Sequence, residues 1–325
     1  MQRLSKRARA AAAVAISLLA ISSAAAQNFP TRPIRLVVPY PPGGNIDITA
    51  RIISPGMGAA LGQTIVVDNR GGAGGNIGAN VAAKAPADGY TLLMSTNTFA
   101  VNPALFKSLP YDPQRDFAPI TLVAEVPLIL VVHPSVPATT LKELIAVAKA
   151  RPRQLNYASS GTSSSLRLAA ELMQSMAGVD MLHVPYKGSG PATTALMSGE
   201  VQLMFGNPIV AAPQAKAGKL RALAITSSRR AFSLPDLPTM SEAGLPGYTA
   251  GSWFGLMAPA KTSSVIIGKL HAETVRILRT PEIRGLMAGA GAEAIGNTPE
   301  EFANYIRMEM AKWTKVIRAS GITPD

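Results

Sequence analysis

The chain has 325 residues, carries a formal net charge of +12 and contains no cysteine. The absence of cysteine excludes a disulfide framework and a lipid-modified N-terminal Cys, so the fold must depend on burial of apolar side chains. Basic residues are scattered and aromatic residues make up only 5% of the chain, which argues against nucleic-acid binding because that function needs basic and aromatic residues on one face.

The N-terminus has the order of a secretory signal. Four of the 31 Lys and Arg residues precede an uncharged run over 10–21 and a small-residue stretch over 22–26. The run is too short to span a bilayer, which needs about 20 apolar residues, and Ala24-x-Ala26 offers a cleavage site. We predict that 1–26 is a signal peptide and that the mature chain is periplasmic, with no membrane anchor.

Short β-rich runs alternate with alanine-rich helical stretches along the mature chain. The predicted strands cover 34–38, 64–67, 91–94, 120–123, 128–132, 155–158, 201–205 and 221–226. The predicted helices cover 46–61, 141–150, 163–177, 192–198, 264–279 and 299–319, with another after the glycines that end at Gly78. Such alternation is typical of α/β folds with mainly parallel sheets covered by helices.

Two irregular stretches mark where the chain passes between two lobes. One is the proline-punctuated 124–137, and the other is the Gly- and Pro-rich 244–259. Two crossings predict a discontinuous first lobe over 27–125 plus 250–325 and a second lobe over 126–249. Ligands of open α/β sheets bind at the carboxyl ends of strands, so we expect a cleft between the lobes.

Glycine-rich turns follow the first two predicted strands. Pro42, Gly43 and Gly44 lead into a helix, and five of the eight residues over 71–78 are glycine. Backbone amides at such turns, next to the positive end of a helix dipole, form an anion site without a charged side chain. The alternative is a plain tight turn with Asn45 or Asp47 as helix cap.

The 72–78 spacing also resembles a dinucleotide-binding loop. The next strand, however, ends at Ser95, Thr96 and Asn97, with no acidic residue to hold a ribose. We therefore expect no cofactor. In the second lobe, polar residues follow strands in the same way: Ser159 to Ser165, Pro185 to Gly188, and Asn207.

These segments together resemble the Bug receptors, the substrate-binding proteins of tripartite tricarboxylate transport systems. The matching motifs are VPYPPGG at 38–44, DNRGGAGGNIG at 68–78, YASSG at 157–161, HVPYKG at 183–188, LPDLPT at 234–239 and WFGLMAP at 253–259. The resemblance implies a type II periplasmic-binding-protein fold that closes on a small carboxylate, held largely by main-chain amides. It also implies membrane transporter subunits as partners of a monomeric receptor.

The resemblance further implies which residues line the ligand. These are Tyr40, Pro42, Gly43, Gly44, Asp47, Gly74, Gly75, Asn76, Thr96, Asn97, Thr98, Ser159, Gly161, Ser164, Pro185, Tyr186, Lys187 and Asn207. Relatives often carry a histidine where this chain has Arg167, so the ligand's identity is not carried over. Arg167 is a candidate partner for a second carboxylate, and the alternative is a solvated helix arginine.

Other function classes find less support in the residues. His133, His183 and His271 are far apart in sequence, Gly161-x-Ser163 lacks the full nucleophile elbow, and the residues that bind metals are not clustered. We therefore expect neither an enzyme nor a metal site. A periplasmic sensor for a signalling partner remains an alternative. A pure interaction protein would not need glycine-rich strand ends.

Overall fold

The computed structural model describes residues 29–161, 164–186, 188–231 and 234–320. The predicted signal peptide over 1–26 and Lys187 lie outside these ranges. None of the helices in the described ranges combines the length and the hydropathy that a bilayer crossing needs.

Strands and helices alternate over most of the described chain. The strands are β1 (Ile34–Val38), β2 (Ile65–Asn69), β3 (Thr91–Thr96), β4 (Phe117–Pro127), β5 (Ile129–Val132), β6 (Asn156–Ser159), β7 (Leu182–Pro185), β8 (Leu203–Gly206), β9 (Arg221–Ile225), β10 (Gly251–Pro259) and β11 (Glu293–Ala294). The α-helices are α1 (Asn45–Leu61), α2 (Asn76–Ala83), α3 (Asn97–Leu105), α4 (Leu141–Ala150), α5 (Ser165–Ala177), α6 (Ser189–Met197), α7 (Pro208–Lys216), α8 (Ser264–Leu278), α9 (Pro281–Gly289) and α10 (Pro299–Ser320). A short 3-10 turn over Ala73–Gly75 precedes α2.

The first sheet has the strand order β11-β4-β10-β3-β1-β2. β1 pairs in parallel with β2 and β3, whereas β10 runs antiparallel to β3 and β4. β1 is buried on both faces: Leu36 and Val38 pack into one apolar cluster and Val37 into another. The near-continuous apolar sequence of β1 follows from this position.

The second sheet has the strand order β7-β6-β8-β5-β9. β6 pairs in parallel with β7 and β8, and β5 runs antiparallel to β8 and β9. The chain leaves the first sheet after Pro127 and enters the second at Ile129, and it returns to the first sheet at Gly251. Both sheets are therefore mixed, with the parallel pairs on the side away from these crossings.

The C-terminal helix α10 packs against both sheets. Phe302 and Ile306 belong to a cluster of the first sheet, and Trp313 belongs to the cluster of the second. Between them the buried Glu309 accepts hydrogen bonds from two indole nitrogens, that of Trp253 at 3.3 Å and that of Trp313 at 2.8 Å. The helix thus joins the two cores beside the crossings.

Only the first part of the predicted crossing over 244–259 connects the two sheets in the structure. Its second half is β10, and Trp253, which lies in this stretch, is buried within the strand. Gly255 lets β10 pack closely against Phe302 of α10, because a Cβ at this position would overlap the Phe302 ring. The crossing predicted over 124–137 is shorter too, since β4 extends to Pro127 and β5 begins two residues later.

Three helices, α3, α7 and α9, were not apparent from the sequence. Each contains proline: Pro103 lies inside α3, Pro208 and Pro213 lie in α7, and Pro281 begins α9. Proline is compatible with the first turn of a helix because the amide it lacks has no intrahelical partner there. Pro103 and Pro213 lie beyond the first turn, where proline is unfavourable, so the local pattern did not predict these helices.

Candidate functional site

Three helices of the first lobe are the next helices after β1, β2 and β3, and their N-termini lack a side-chain cap. Gly44 precedes α1, Gly75 precedes α2 and Thr96 precedes α3, and none of them caps the first turn through its side chain. The Thr96 hydroxyl donates instead to Asn97 Oδ1 at 2.9 Å. Uncapped first-turn amides, at the positive end of a helix dipole, favour binding of an anion.

Asp47 holds the turn before α1 in place. Its buried carboxylate accepts the Gly43 amide at 2.9 Å, Arg51 Nε at 3.0 Å and Asn69 Nδ2 at 3.0 Å. Burial by itself raises the pKa of Asp47, but the hydrogen bonds from Arg51, Gly43 and Asn69 outweigh it and hold the pKa below its ordinary value. The carboxylate is therefore ionised and orders the turn, with Gly43 at a φ of +91°.

Tyr40 connects the turns that follow β1, β2 and β3. Its hydroxyl lies 2.8 Å from Thr98 Oγ1 and 3.4 Å from the Gly74 carbonyl. Burial raises the pKa of Tyr40, so the phenol stays protonated. Gly74 and Gly75 both have positive φ, and a Cβ at Gly75 would lie 3.4 Å from the Tyr40 ring.

The Asn76 side chain is buried and forms hydrogen bonds within the core. Its side-chain oxygen accepts hydrogen bonds from Asn102 and from the Tyr111 hydroxyl, both at 2.8 Å. Asn102 also donates to the Gly74 carbonyl at 3.0 Å. A cavity of about 10 Å³, room for roughly one water, lies between Gly74, Gly75, Thr96, Thr98, Asn102 and Tyr111.

The predicted residues of the second lobe bond mainly to one another. The hydroxyls of Ser159 and Ser164 both donate to the Gly161 carbonyl, at 2.9 and 2.8 Å. Ser164 also caps α5 by accepting the Arg167 amide at 3.3 Å. Gly161 has a φ of +138°, so these two serines fix a turn that needs glycine.

His183 supports this turn from β7. Its Nε2 lies 2.6 Å from Ser159 Oγ. Burial, and then the positive charge of Arg167, lower the pKa of His183 to about 4, so the ring is neutral at physiological pH. The Ser159 hydroxyl thus contacts both the Gly161 carbonyl and the neutral His183 ring.

Arg167 lies beside Glu171 and Tyr157. Arg167 Nε is 3.3 Å from Glu171 Oε1, and both side chains are mostly buried. The Tyr157 hydroxyl donates to the same carboxylate oxygen at 2.7 Å, and its ring stacks on His183. The network Ser159–His183–Tyr157–Glu171–Arg167 thus underlies the second-lobe turn.

The other predicted residues have structural partners, are exposed or lie outside the described residues. Tyr186 donates its hydroxyl to Glu200 at 2.7 Å, while its amide donates to the Ser159 carbonyl. Asn207 caps α7 by accepting the Ile209 amide at 3.1 Å. Pro42 and Pro185 are exposed, and Lys187 lies outside the described residues.

The two lobes touch beside the crossings. Ser165, the first residue of α5, lies with its hydroxyl 3.3 Å from that of Ser252 in β10. Asn207 and Ile209 lie against Gly291, where a Cβ would come within 2.8 Å of Ile209. Across the described residues, no group of three or more His, Cys, Asp or Glu side chains is placed to hold a metal ion.

Comparisons with known proteins place the chain in a family. Residues 49–322 match the model described as "Tripartite tricarboxylate transporter family receptor". BugT of Bordetella pertussis is 40% identical over 298 residues, which cover 91% of each chain. The UPF0065 protein of the tcbD-tcbE intergenic region of Pseudomonas sp. strain P51 is 38% identical over 96% of this chain and 94% of its own.

Solved structures agree with this grouping. Rpa4515 of R. palustris, solved with adipate, is 39% identical and aligns with a TM-score of 0.74 over 92% of this chain and all of its own. MatC of Rhodopseudomonas palustris, solved with bound malate, is 35% identical with a TM-score of 0.70 over 89% of this chain and all of its own. The fold is the two-lobed α/β fold of periplasmic solute-binding proteins, and the chain belongs to the receptor family of tripartite tricarboxylate transporters.

Proposed function

We propose that this receptor captures a small carboxylate between its two lobes and delivers it to a tripartite transporter. The observation that carries the proposal is the group of three uncapped helix N-termini after β1, β2 and β3. Two similar receptors were solved with adipate and malate. We therefore expect a dicarboxylate as the preferred ligand.

In this proposal the first lobe holds one carboxylate through peptide amides. The first-turn amides of α1 and α2 bind the anion, and Tyr40 and Thr98 keep the turns in register through their 2.8 Å contact. The amide of Gly43 is already given to Asp47, so it shapes the site without binding ligand. A neutral grip of this kind accepts carboxylates of different length.

The second lobe closes over the ligand in the same proposal. The lobes comprise 27–125 plus 250–325 and 126–249, and they move about the two crossings as the ligand shifts the equilibrium. The turn around Gly161 completes the site, and Arg167, held by Glu171, neutralises a second carboxylate. Ligand affinity of Arg167→Ala tests this role, since unchanged affinity contradicts it.

A catalytic function fits the same residues less well. Ser159 has the histidine neighbour that a nucleophile needs, but its side chain is fully buried and its proton is given to Gly161. The family is one of binding proteins, which favours a receptor without turnover. The periplasmic location and the signal peptide over 1–26 belong to the same proposal, as does a monomeric state.

The experiment is to cap α1 artificially. Gly44 has a φ of −79° and a ψ of 163°, which any residue adopts, and a Cβ there has no neighbour within 4 Å. In Gly44→Asp the new carboxylate takes the amides that we assign to the ligand. We expect stability to rise by a few tenths of a kcal/mol, and affinity for malate and adipate to fall at least tenfold by calorimetry.

Ser263→Asp is the matched control, because Ser263 caps α8 by accepting the Ile266 amide, far from the three turns. We expect unchanged affinity there. Equal affinities of Gly44→Asp and the parent would contradict the assigned amides. If no carboxylate in a panel of malate, adipate, citrate and amino acids raises the melting temperature of the mature chain, the carboxylate itself is wrong. Turnover of any of these compounds would favour the enzyme.

A further inference from the structure

A cavity of about 110 Å³, with room for several waters, lies at the two crossings between the sheets. Both crossings and α10 form its walls: the lining is 125–127, 226–228, 249–252, Tyr305, Glu309 and Lys312. Thr226 bonds both crossings, since its hydroxyl oxygen accepts the Leu128 amide at 2.7 Å and its carbonyl accepts the Ala250 amide at 3.1 Å. Among the described residues, none that we assign to the ligand lines this crossing cavity.

Three glutamates lie at or beside the crossing cavity, and two of them have cationic partners. Glu309 accepts hydrogen bonds from the Lys312 ammonium and from the indole nitrogens of both tryptophans of the chain. Glu293 of β11 forms an ion pair with Arg229. The negative charges of these two carboxylates are thus balanced by neighbouring cations.

The third glutamate, Glu125 of β4, has a neutral donor and negatively charged neighbours. It accepts a hydrogen bond from the Tyr305 hydroxyl. It lies directly opposite Glu293 in the antiparallel pair of β4 and β11, where like charges repel. Burial raises the pKa of Glu125, and the charges of Glu293 and Glu309 raise it further. The Tyr305 hydrogen bond and the charge of Arg229 lower this pKa without cancelling the rise, so Glu125 takes up a proton more readily than an exposed glutamate.

Arg229 connects this group of charges with the other lobe. It follows β9 of the second sheet, whereas Glu125 and Glu293 belong to strands of the first sheet. An ionised Glu125 adds to the attraction that holds Arg229 beside Glu293, and a protonated Glu125 does not. A proton on Glu125 therefore weakens the electrostatic contact between the lobes, and a movement of Arg229 in turn changes the pKa of Glu125.

We propose that Glu125 is a proton-binding site at the crossings, through which pH shifts the equilibrium between arrangements of the two lobes and so changes the affinity for the ligand. Acid favours arrangements in which Arg229 lies further from Glu125. The effect on the ligand rests on the proposed function, because it requires lobes that move about the crossings when the ligand binds. The proton site itself stands without that requirement.

The first experiment titrates the mature chain without ligand. Both tryptophans donate to Glu309 beside the crossing cavity, so intrinsic fluorescence reports on this group of charges without a label. We expect a fluorescence transition with a midpoint above 4.5, the ordinary value for a glutamate, and we expect Glu125→Gln to lose it. Glu300→Gln, at an exposed position in the first turn of α10, should keep it. A parent without this transition, or a transition that persists in Glu125→Gln, overturns the proposal.

The melting temperature gives a second test with a defined sign. Since the folded state favours protonated Glu125, ionisation costs stability as the pH rises through the folded-state pKa. Glu125→Gln should therefore melt above the parent at about pH 8, and the gap should shrink as the pH falls towards about 4.5. A gap that widens on acidification contradicts the proton site.

The second experiment measures the protons exchanged when malate or adipate binds. Calorimetry in buffers with different enthalpies of ionisation gives this number. We expect proton exchange near the midpoint of the fluorescence transition and a change of about threefold in affinity across it, which corresponds to a pKa change of about half a unit. Glu125→Gln and Arg229→Gln should both lose the exchange, and only Arg229→Gln should keep the fluorescence transition. An exchange that persists in either variant overturns the coupling.

The two experiments separate this proposal from the proposed function. A parent that binds none of the carboxylates overturns the proposed function, while the fluorescence transition still tests the proton site. Normal binding of malate or adipate without proton exchange overturns the coupling alone.

Discussion

The helices that follow the strands of the two sheets differ in whether a side chain caps their N-termini. After β1, β2 and β3 the helices follow Gly44, Gly75 and Thr96 and have no side-chain cap. After β6 and β8 they follow Ser164 and Asn207, and both of these side chains accept first-turn amides. α6, which follows β7 and begins after Gly188, is uncapped in the second lobe.

The difference in capping indicates that the two lobes have different roles towards a ligand. A side-chain cap stabilises a helix by about 1 kcal/mol, and a helix without one leaves amides for water or an anion. The first lobe therefore keeps its donors available, while the second lobe uses its hydroxyls to fix the turn around Gly161. We infer that the first lobe supplies the main-chain amides for the ligand, and that the second lobe closes over it with the turn around Gly161 and Arg167.

The largest expected effect comes from Gly78→Ala in the first lobe. A Cβ at Gly78 would lie 2.7 Å from Pro39 Cα and 2.8 Å from the Arg70 carbonyl, so the backbone itself must shift. We expect a loss of about 3 kcal/mol in the free energy of unfolding, measured by urea denaturation. Gly190→Ala in α6, with nothing within 4 Å of its Cβ, should change stability little, and equal losses in the two variants would contradict the close approach of α2 to β1.

A smaller effect should follow from Asp47→Asn. The buried carboxylate accepts three hydrogen bonds, and an amide in its place turns two protons towards those donors. We expect a loss of about 2 kcal/mol at pH 7, with weaker ligand binding because the turn loses its order. Asp88→Asn, at an exposed pair with Arg32, should lose less than about 0.5 kcal/mol.

The stability difference between the parent and Asp47→Asn should depend on pH in a definite direction. The pKa of Asp47 lies below its ordinary value of 3.8, so the folded state favours the ionised form. The stability it contributes is complete above pH 3.8 and is lost as the pH falls through the folded-state pKa. The gap between parent and variant should therefore be constant from pH 7 to about 5 and shrink below pH 4; a gap that grows on acidification would contradict the assignment.

The turns after β1 and β2 were the part of the candidate site that the sequence predicted best. Glycine at 43, 44, 74 and 75 comes between a strand pattern and a helix pattern, so both the turn and the missing cap are visible in the residues. The alternation of elements likewise predicted β1 to β6, β8 and β9, but the predicted strand list did not include β7 or β11. β10 was missed because Gly251 and Pro259 at its ends looked like the limits of a loop.

The partners of individual side chains could not be predicted in the same way. The Tyr111 hydroxyl bonds Asn76, 35 residues away in sequence, and the Tyr186 hydroxyl bonds Glu200 in the loop between α6 and β8. Such contacts depend on the packing of whole elements, which no local pattern encodes. For that reason the hydrogen bonds from Asn102 and Tyr111 to the Asn76 side chain were not foreseen.

The smallest of these effects should come from Ser164→Ala in the second lobe. The change removes the α5 cap and one of the two hydroxyls on the Gly161 carbonyl. We expect a stability loss of about 1 kcal/mol and a modest loss of ligand affinity, because Ser159 still holds the turn. Ser263→Ala removes a cap of the same kind at α8 and should lose similar stability with unchanged affinity. If the two variants behave alike in calorimetry with malate and adipate, the turn around Gly161 does not contribute to closure over the ligand, and binding rests on the first lobe alone.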